Sequence, residues 1–416
     1  MTKFSLRRFP PSLFDVSQDV VRALPVDIIE HWTRGDQSRE TALRLLEPQT
    51  RTGTVIVSDS AGLTRLGAHR GLVEILAMIS QPKELIHAHG LAIGGGSVGV
   101  WAADNAQMFF GDDVDPCRVV SMLLELQARI TAECEVRVGI GAHCGRFYRL
   151  GDGLYGAEAD RVEMLAESYT AGGETVLTSA LVERLGDGHG LTLRGRDDIP
   201  GDLGVAYRVE GGPRLAGLAL RDFDYPVPYS PEFFADLRRY VASNRDASLL
   251  EGIHDRYTRE LAVVLIERER EEPDVPEVAV LNDLALSLAM KTMGARLLQG
   301  TRGAETKTAG PLGIYTFEDC REALAFARGF RQTLREQGIA SRIGIDHGEV
   351  LVFQLQHGGH DIAGMPVNLA SKMAQDKGEF GNIYLTAEAA ARAGLDAGAP
   401  KVTLTVSGVS VNARVV

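Results

Sequence analysis

The sequence predicts two tandem copies of one α/β domain, each an α+β sandwich built on a mixed sheet. Three observations predict it. The chain has 416 residues, more than a single hydrophobic core usually sustains, so two domains of ordinary size are expected. Three strand-like landmarks recur in the same order in the two halves. Between them, apolar runs alternate with amphipathic helical segments, the pattern of a sheet with helices packed on one face.

The landmarks are specific. Thr54-Val55-Ile56-Val57-Ser58-Asp59 opens the first half and Ala262-Val263-Val264-Leu265-Ile266-Glu267 the second. Arg137-Val138-Gly139-Ile140-Gly141 follows in one, and Arg342-Ile343-Gly344-Ile345-Asp346 in the other. Val176-Leu177-Thr178 and Ile383-Tyr384-Leu385-Thr386 close them. Corresponding spacings agree to within three residues, which points to a duplicated domain of about 160 residues.

Residues 1–47 read as an N-terminal helical segment, amphipathic from 12 to 47 with breaks at Pro25 and Pro48. The first domain is expected over 48–212. Its opening strand leads to a helix from Leu72 to Ser80, stopped by Pro82, and then to a glycine-broken hairpin. Val98–Trp101 reads as one strand of that hairpin, Ala102–Asn105 as the turn and Ala106–Phe110 as the return. Helices over Asp115–Cys134 and Ala159–Ser168 flank the second landmark. A linker over 213–257 holds Tyr225-Pro226-Val227-Pro228-Tyr229-Ser230-Pro231 and a helix from Glu232 to about Ala242. The second domain covers 258–416.

Hydrophobic residues make up 44% and charged residues 24% of the chain, the proportions of an ordinary globular protein. The net charge of −12 argues against a nucleic-acid surface, which needs clustered Lys and Arg. No stretch approaches the roughly 18 apolar residues that span a bilayer, and Met1–Phe14 lacks an apolar signal core. No membrane partner is therefore expected. Cys117, Cys134, Cys144 and Cys320 show neither CxxC pairing nor a framework, and read as free thiols of a cytoplasmic protein.

Two carboxylates stand out in the first half. Asp59 ends a buried-type strand and precedes Ser60-Ala61-Gly62, a setting that holds a hard cation while backbone amides face phosphate. Taken alone it fits a helix N-cap better. Asp104 lies on the hairpin turn six residues before Phe110, as Pro311 lies six before Phe317. A rival phasing puts Ser97 there but loses the match to Phe110.

In the second half the chain reads Asp361-Ile362-Ala363-Gly364-Met365-Pro366-Val367-Asn368-Leu369-Ala370-Ser371-Lys372. This resembles the substrate-binding segment D-x-x-G-x-x-V-N-x-A-x-R of class III adenylate cyclases. Lys307-Thr308-Ala309-Gly310 resembles their K-x-x-G hairpin, and Asp59 to Thr64 their D-x-x-G-x-T strand end. The resemblance covers roughly 50–212 and 258–416, more strongly in the second copy. It implies a ferredoxin-like class III cyclase fold, with two copies forming an intramolecular pseudo-heterodimer.

That family builds each site from two such domains. By resemblance, Asp59 and Asp104 would hold two metal ions, Mg²⁺ or Mn²⁺. Lys307 and Asp361 would read adenine, Asn368 would orient the ribose, and Lys372 stands where the family has a phosphate-binding Arg. The complementary positions are degenerate: Val100 for Lys, Asp160 for Asn, Met164 for Arg, and Glu267 and Pro311 for the metal carboxylates. One composite site is thus nearly complete and its twin is not. The implied activity is an adenylate cyclase making 3′,5′-cyclic AMP from ATP. Lys cannot make the bidentate phosphate contact of Arg, so slower turnover is expected.

Other signals carry less. Gly94-Gly95-Gly96-Ser97 lacks the Gly-Lys-Ser/Thr of a phosphate loop. His357-Gly358-Gly359-His360 reads as a solvent-facing glycine loop, and Glu267–Glu272 as a solvated edge. Glu158, Asp160 and Glu163 would repel phosphate, leaving the degenerate pocket empty or open to a neutral regulator. A tandem chain completes its own site, so either a monomer or a homodimer fits. The competing readings are an ATP-binding pseudocyclase without turnover and a structural scaffold.

Overall fold

The computed structural model describes residues 25–62, 66, 70–99, 101, 105–221, 225–227, 229–270, 275–355, 359–395, 398–406 and 409–416. Two compact units result. One comprises Arg44–Pro228 and Leu237–Arg245; the other comprises Tyr229–Asp236 and Asp246–Val416 with the described residues before Arg44.

The first domain contains β1 (Thr50–Ser60), β2 (Gly96–Ser97), β3 (Asn105–Gly111), β4 (Val138–Leu150), β5 (Gly153–Tyr155), β6 (Thr175–Thr178), β7 (Thr192–Gly195) and β8 (Ala206–Gly211). They form one sheet in the order β2-β3-β1-β4-β6-β8-β7, with β5 paired to β4. Only β4 and β6 run parallel; the other pairs are antiparallel. Gly53 to Ser58 on β1 are all buried, so this strand is covered on both faces, which explains its unbroken apolar run. Val55 and Val57 pack with Phe147 and with Ala159, Val162 and Ala166 of the helix Ala157–Tyr169. That helix approaches closely because position 141 is glycine: a Cβ there would lie 3.0 Å from the Ala166 backbone nitrogen.

The second domain repeats the plan with β9 (Thr258–Arg268), β10 (Ala304–Ala309), β11 (Leu312–Phe317), β12 (Ser341–Gln354), β13 (His360–Ala363), β14 (Ile383–Thr386), β15 (Lys401–Val406) and β16 (Val409–Val415). The order is β10-β11-β9-β12-β14-β16-β15, with β13 paired to β12. Val263 and Leu265 pack with Val350, Ile362, Ala370 and Ala374. Gly344 plays the part of Gly141, since a Cβ there would meet the Ala370 carbonyl oxygen at 2.1 Å. Matching caps start the matching helices: Asp115 accepts from the Cys117 amide at 2.9 Å and Asp319 from the Arg321 amide at 2.7 Å.

Several expectations are corrected. The helix expected to stop at Pro82 runs unbroken over Leu72–Ala92. Pro82 forfeits one backbone hydrogen bond, but it and the neighbouring Ile79 and Ile86 are buried, and that burial offsets the loss. Trp101 does not extend a strand: β2 is only Gly96–Ser97. Its indole stacks on Tyr225, centroids 5.8 Å apart, and donates to the Gln107 carbonyl oxygen at 3.1 Å. The expected linker contains a second helix, Ala247–Tyr257, capped by Asp246.

Among the described residues one helix, Pro276–Leu297, is long and apolar enough by length and composition to cross a membrane, contrary to the sequence reading. Within its own domain it is a core helix, with Leu281, Leu284, Leu288 and Met290 buried. The helix Val26–Arg34 packs against it. Trp32 is fully buried there and donates its indole N–H to Asn282 Oδ1 at 3.0 Å. A second N-terminal helix follows over Arg39–Leu46.

Candidate functional site

In the second domain the hairpin strand β10 lies against β13, and this brings Lys307 and Asp361 together. Lys307 is exposed and sits just past an irregularity in the pairing of β10 with β11. Asp361 is half-buried opposite Phe353, and its Oδ1 accepts from the Ile362 amide at 2.8 Å. Burial pushes the Asp361 carboxyl above its usual range, while the Lys307 ammonium acts on it in the opposite sense. The Lys307 charge is thus near enough to act on the Asp361 carboxylate across the contact between β10 and β13.

Gly364 leads from β13 into the helix Met365–Ser371. Asn368 is exposed on that helix, and Lys372 follows four residues later, half-buried, at the start of a π-helical stretch, Lys372–Lys377. Residues four apart lie on one helical face. His360, which reads as a solvent-facing loop residue, is half-buried next to Asp361, with Nε2 3.3 Å from Thr306 Oγ1. Burial lowers its pKa and the Asp361 carboxylate opposes that shift. Its alternation with Ile362 on a strand was the signal that could have found it. His357 lies outside the described residues.

In the first domain Asp59 is half-buried at the end of β1, in register with Asn105 on β3 and with Gly139 on β4. Asp104 and Val100 lie outside the described residues. In the second domain Glu267 occupies the matching place on β9, in register with Leu312 and Arg342. The same pairings equate Phe110 with Phe317.

The registers correct two alignments. Leu177 pairs with Ala142, and Leu385 with Ile345, so Arg342 corresponds to Gly139 rather than to Arg137. Arg137 instead caps a helix end through the Ile130 carbonyl oxygen at 2.9 Å. Lys307 faces Ile314, the counterpart of Gln107; in the first domain the Gln107 carbonyl oxygen accepts from the Val98 amide at 3.0 Å. Val98, buried and apolar, therefore replaces the lysine, rather than Val100.

The degenerate positions are filled by structural contacts. The Arg342 Nε donates to Glu267 Oε2 at 2.6 Å, and its Nη1 donates to the Gly378 carbonyl oxygen at 2.9 Å. A guanidinium thus occupies the carboxylate that replaces Asp59. Glu158 accepts from Arg161 Nη1 at 3.2 Å and touches His143 Nε2, whose Nδ1 meets Thr178 Oγ1 at 2.8 Å. Its charge is neutralised locally. Met164, at the position of Lys372, is 48% exposed and offers phosphate no charge.

No family model matches the chain, and no curated protein matches it by sequence. Solved structures do match. A class III adenylyl cyclase-like ATP-binding protein from Pseudomonas aeruginosa is similar over 82% of this chain and 85% of its own, at 12% identity and a TM-score of 0.52. The adenylyl cyclase CyaB from P. aeruginosa aligns with 41% of this chain over 98% of its own, at 19% identity and a TM-score of 0.35. The guanylyl cyclase Cya2 aligns with 41% over 98% of its own, at 22% identity and a TM-score of 0.33. The chain has two tandem domains of class III cyclase-like fold.

Proposed function

We propose that the chain is an adenylate cyclase, converting ATP to 3′,5′-cyclic AMP and pyrophosphate at a single composite site. The first domain contributes Asp59 and Asp104 to it, and the second contributes Lys307, Asp361, Asn368 and Lys372. The observation that carries this reading is the contact of β10 with β13, which places the Lys307 charge where it acts on the Asp361 carboxylate. Adenine offers an acceptor at N1 and donors at N6, which suit an ammonium beside a carboxylate. Guanine offers the reverse, so a site built on this pair rejects GTP by leaving both groups unpaired.

Asp59 supplies a hard oxygen donor of the kind Mg²⁺ or Mn²⁺ takes. Gly139 stands in register with it where the second domain has Arg342, so no guanidinium comes from that position. Asp59 and Asp104 would hold two divalent ions, which when bound lower the pKa of the ribose 3′-hydroxyl and neutralise charge on the leaving pyrophosphate. The chain's own residues then act by positioning. Lys307 and Asp361 anchor the base, Asn368 orients the ribose, and Lys372 draws the phosphates into line. The 3′-oxygen bonds to the α-phosphorus as its proton passes to solvent, and the bond from the α-phosphorus to the bridging oxygen breaks.

A second reading, ATP binding without turnover, is favoured by Lys372 in the place of Arg. It also finds support in the P. aeruginosa protein, described as a cyclase-like ATP-binding protein. One assay separates the two: cyclic nucleotide formed from ATP or GTP with Mg²⁺ or Mn²⁺, beside an Asp104→Ala variant. Cyclic AMP from ATP, lost in the variant, is the expected result. No product from either nucleotide, with ATP still bound, would establish the second reading instead.

A further inference from the structure

Seven residues back along β9 from Glu267, a second cluster of metal-ligating side chains converges. His347 on β12 is in register with Ala262 on β9, so Glu260, two residues before Ala262, is its diagonal neighbour on the same sheet face. Glu388 joins them from the helix Ala387–Arg392, which starts directly after β14. His347 Nδ1 lies 3.7 Å from Glu260 Oε1 and 3.9 Å from Glu388 Oε1. One ligand atom from each of the three residues falls within 4.8 Å of the others.

The histidine is the informative member. Its side chain is 4% exposed, and Nδ1 is buried without a hydrogen bond. A buried ring nitrogen left this way costs stability unless something else uses its lone pair. Here it points at two carboxylates that are themselves bridged by a cation: Arg392 Nη2 lies 3.0 Å from Glu260 and Nε 3.2 Å from Glu388. The other copy of the fold carries Thr52, Cys144 and Ala180 at the corresponding register positions. All three ligands are present in one domain and all three are missing from the other.

We infer that Glu260, His347 and Glu388 form a divalent transition-metal site, for Zn²⁺ rather than Mg²⁺, that Arg392 fills when no metal is bound. One imidazole and two carboxylates make a three-ligand set that zinc completes with a water, at ligand separations of about 3.4 Å. The present separations need only a small closing rotation of two exposed glutamates. Magnesium prefers oxygen ligands alone and does not reward the imidazole. A bound ion would tie β9, β12 and the helix after β14 together.

The test is calorimetric titration of the full chain with ZnCl₂, beside Glu388→Gln and His347→Ala. Glu388 is 58% exposed, so its variant keeps the fold even where loss of the buried histidine does not. The wild type is expected to bind one more equivalent than either variant, or to bind that equivalent at least a hundredfold more tightly. Arg392→Ala is expected to tighten binding about tenfold by removing the competing cation. Equal stoichiometry and affinity in the wild type and Glu388→Gln, or weaker binding in Arg392→Ala, would overturn the inference.

Discussion

The guanidinium of Arg342 lies 2.6 Å from the Glu267 carboxylate, at the strand end where the other copy carries Asp59 opposite a glycine. A group that could have been a cation ligand has become half of an ion pair. Arg342 also donates to the carbonyl oxygens of Gly378 and Gln375 and lies over the Phe380 ring, 4.7 Å from its centroid. It therefore ties β9, β12 and the segment after Lys372 together.

Arg342→Ala should accordingly be a stability variant. It leaves Glu267, with a side chain only 16% exposed, without its partner and two carbonyls unbonded, a loss of about 2–3 kcal/mol. Urea unfolding checks this: the midpoint should fall with the slope unchanged. An unchanged midpoint would reduce the pair to a solvated surface contact.

Lys372→Arg tests the phosphate role proposed for that position. A guanidinium can bind phosphate bidentately where an ammonium cannot. The variant should turn ATP over about tenfold faster, equivalent to roughly 1.4 kcal/mol off the barrier, with base preference unchanged. Steady-state rates on ATP and GTP read this directly, and an unaltered kcat would remove Lys372 from the phosphates.

Asp361 predicts a pH dependence with a definite sign. Burial raises its folded pKa above the unfolded value of 3.8, despite the opposing pull of Lys307. The folded chain thus holds this proton more tightly than the unfolded chain. Its contribution to stability is greatest below the unfolded pKa and is lost as pH rises through the folded one. Asp361→Asn should therefore raise the melting temperature at neutral pH, with the gain shrinking to nothing below about pH 4. Equal melting temperatures at pH 7 would place the carboxylate in a better-solvated setting.

Much of the architecture was legible in the sequence because the signals were local. The unbroken apolar runs at Val55–Val57 and Val263–Ile266 mark strands buried on both faces, and Asp115 announces its helix by capping it. What was not legible depends on distant neighbours. Pro82 continues a helix only because it is buried, and Pro276–Leu297 becomes a core helix by packing. The arginines at 137 and 342 look equivalent in matching strings, yet strand register sets Gly139 against Arg342. Lys307 and Asp361 could be picked out by resemblance, but their mutual influence appears only once β10 and β13 are adjacent. Glu260, His347 and Glu388 share no spacing that sequence alone would flag.

Trp32 extends this to the N-terminal helix, whose role no motif indicated. Its indole is fully buried and bonded to Asn282 on the core helix Pro276–Leu297. Truncation opens a cavity the size of an indole and strands the Asn282 amide. Trp32→Ala should therefore cost about 3–5 kcal/mol, the range for large aromatic truncations in a core, whereas Trp32→Phe keeps most of the volume and loses mainly the hydrogen bond. Both variants can be compared by urea unfolding followed through a probe in the second domain. A large loss for Ala and a small one for Phe would make the helix an integral part of that domain's core. Small, equal losses in both would show that the domain folds without it.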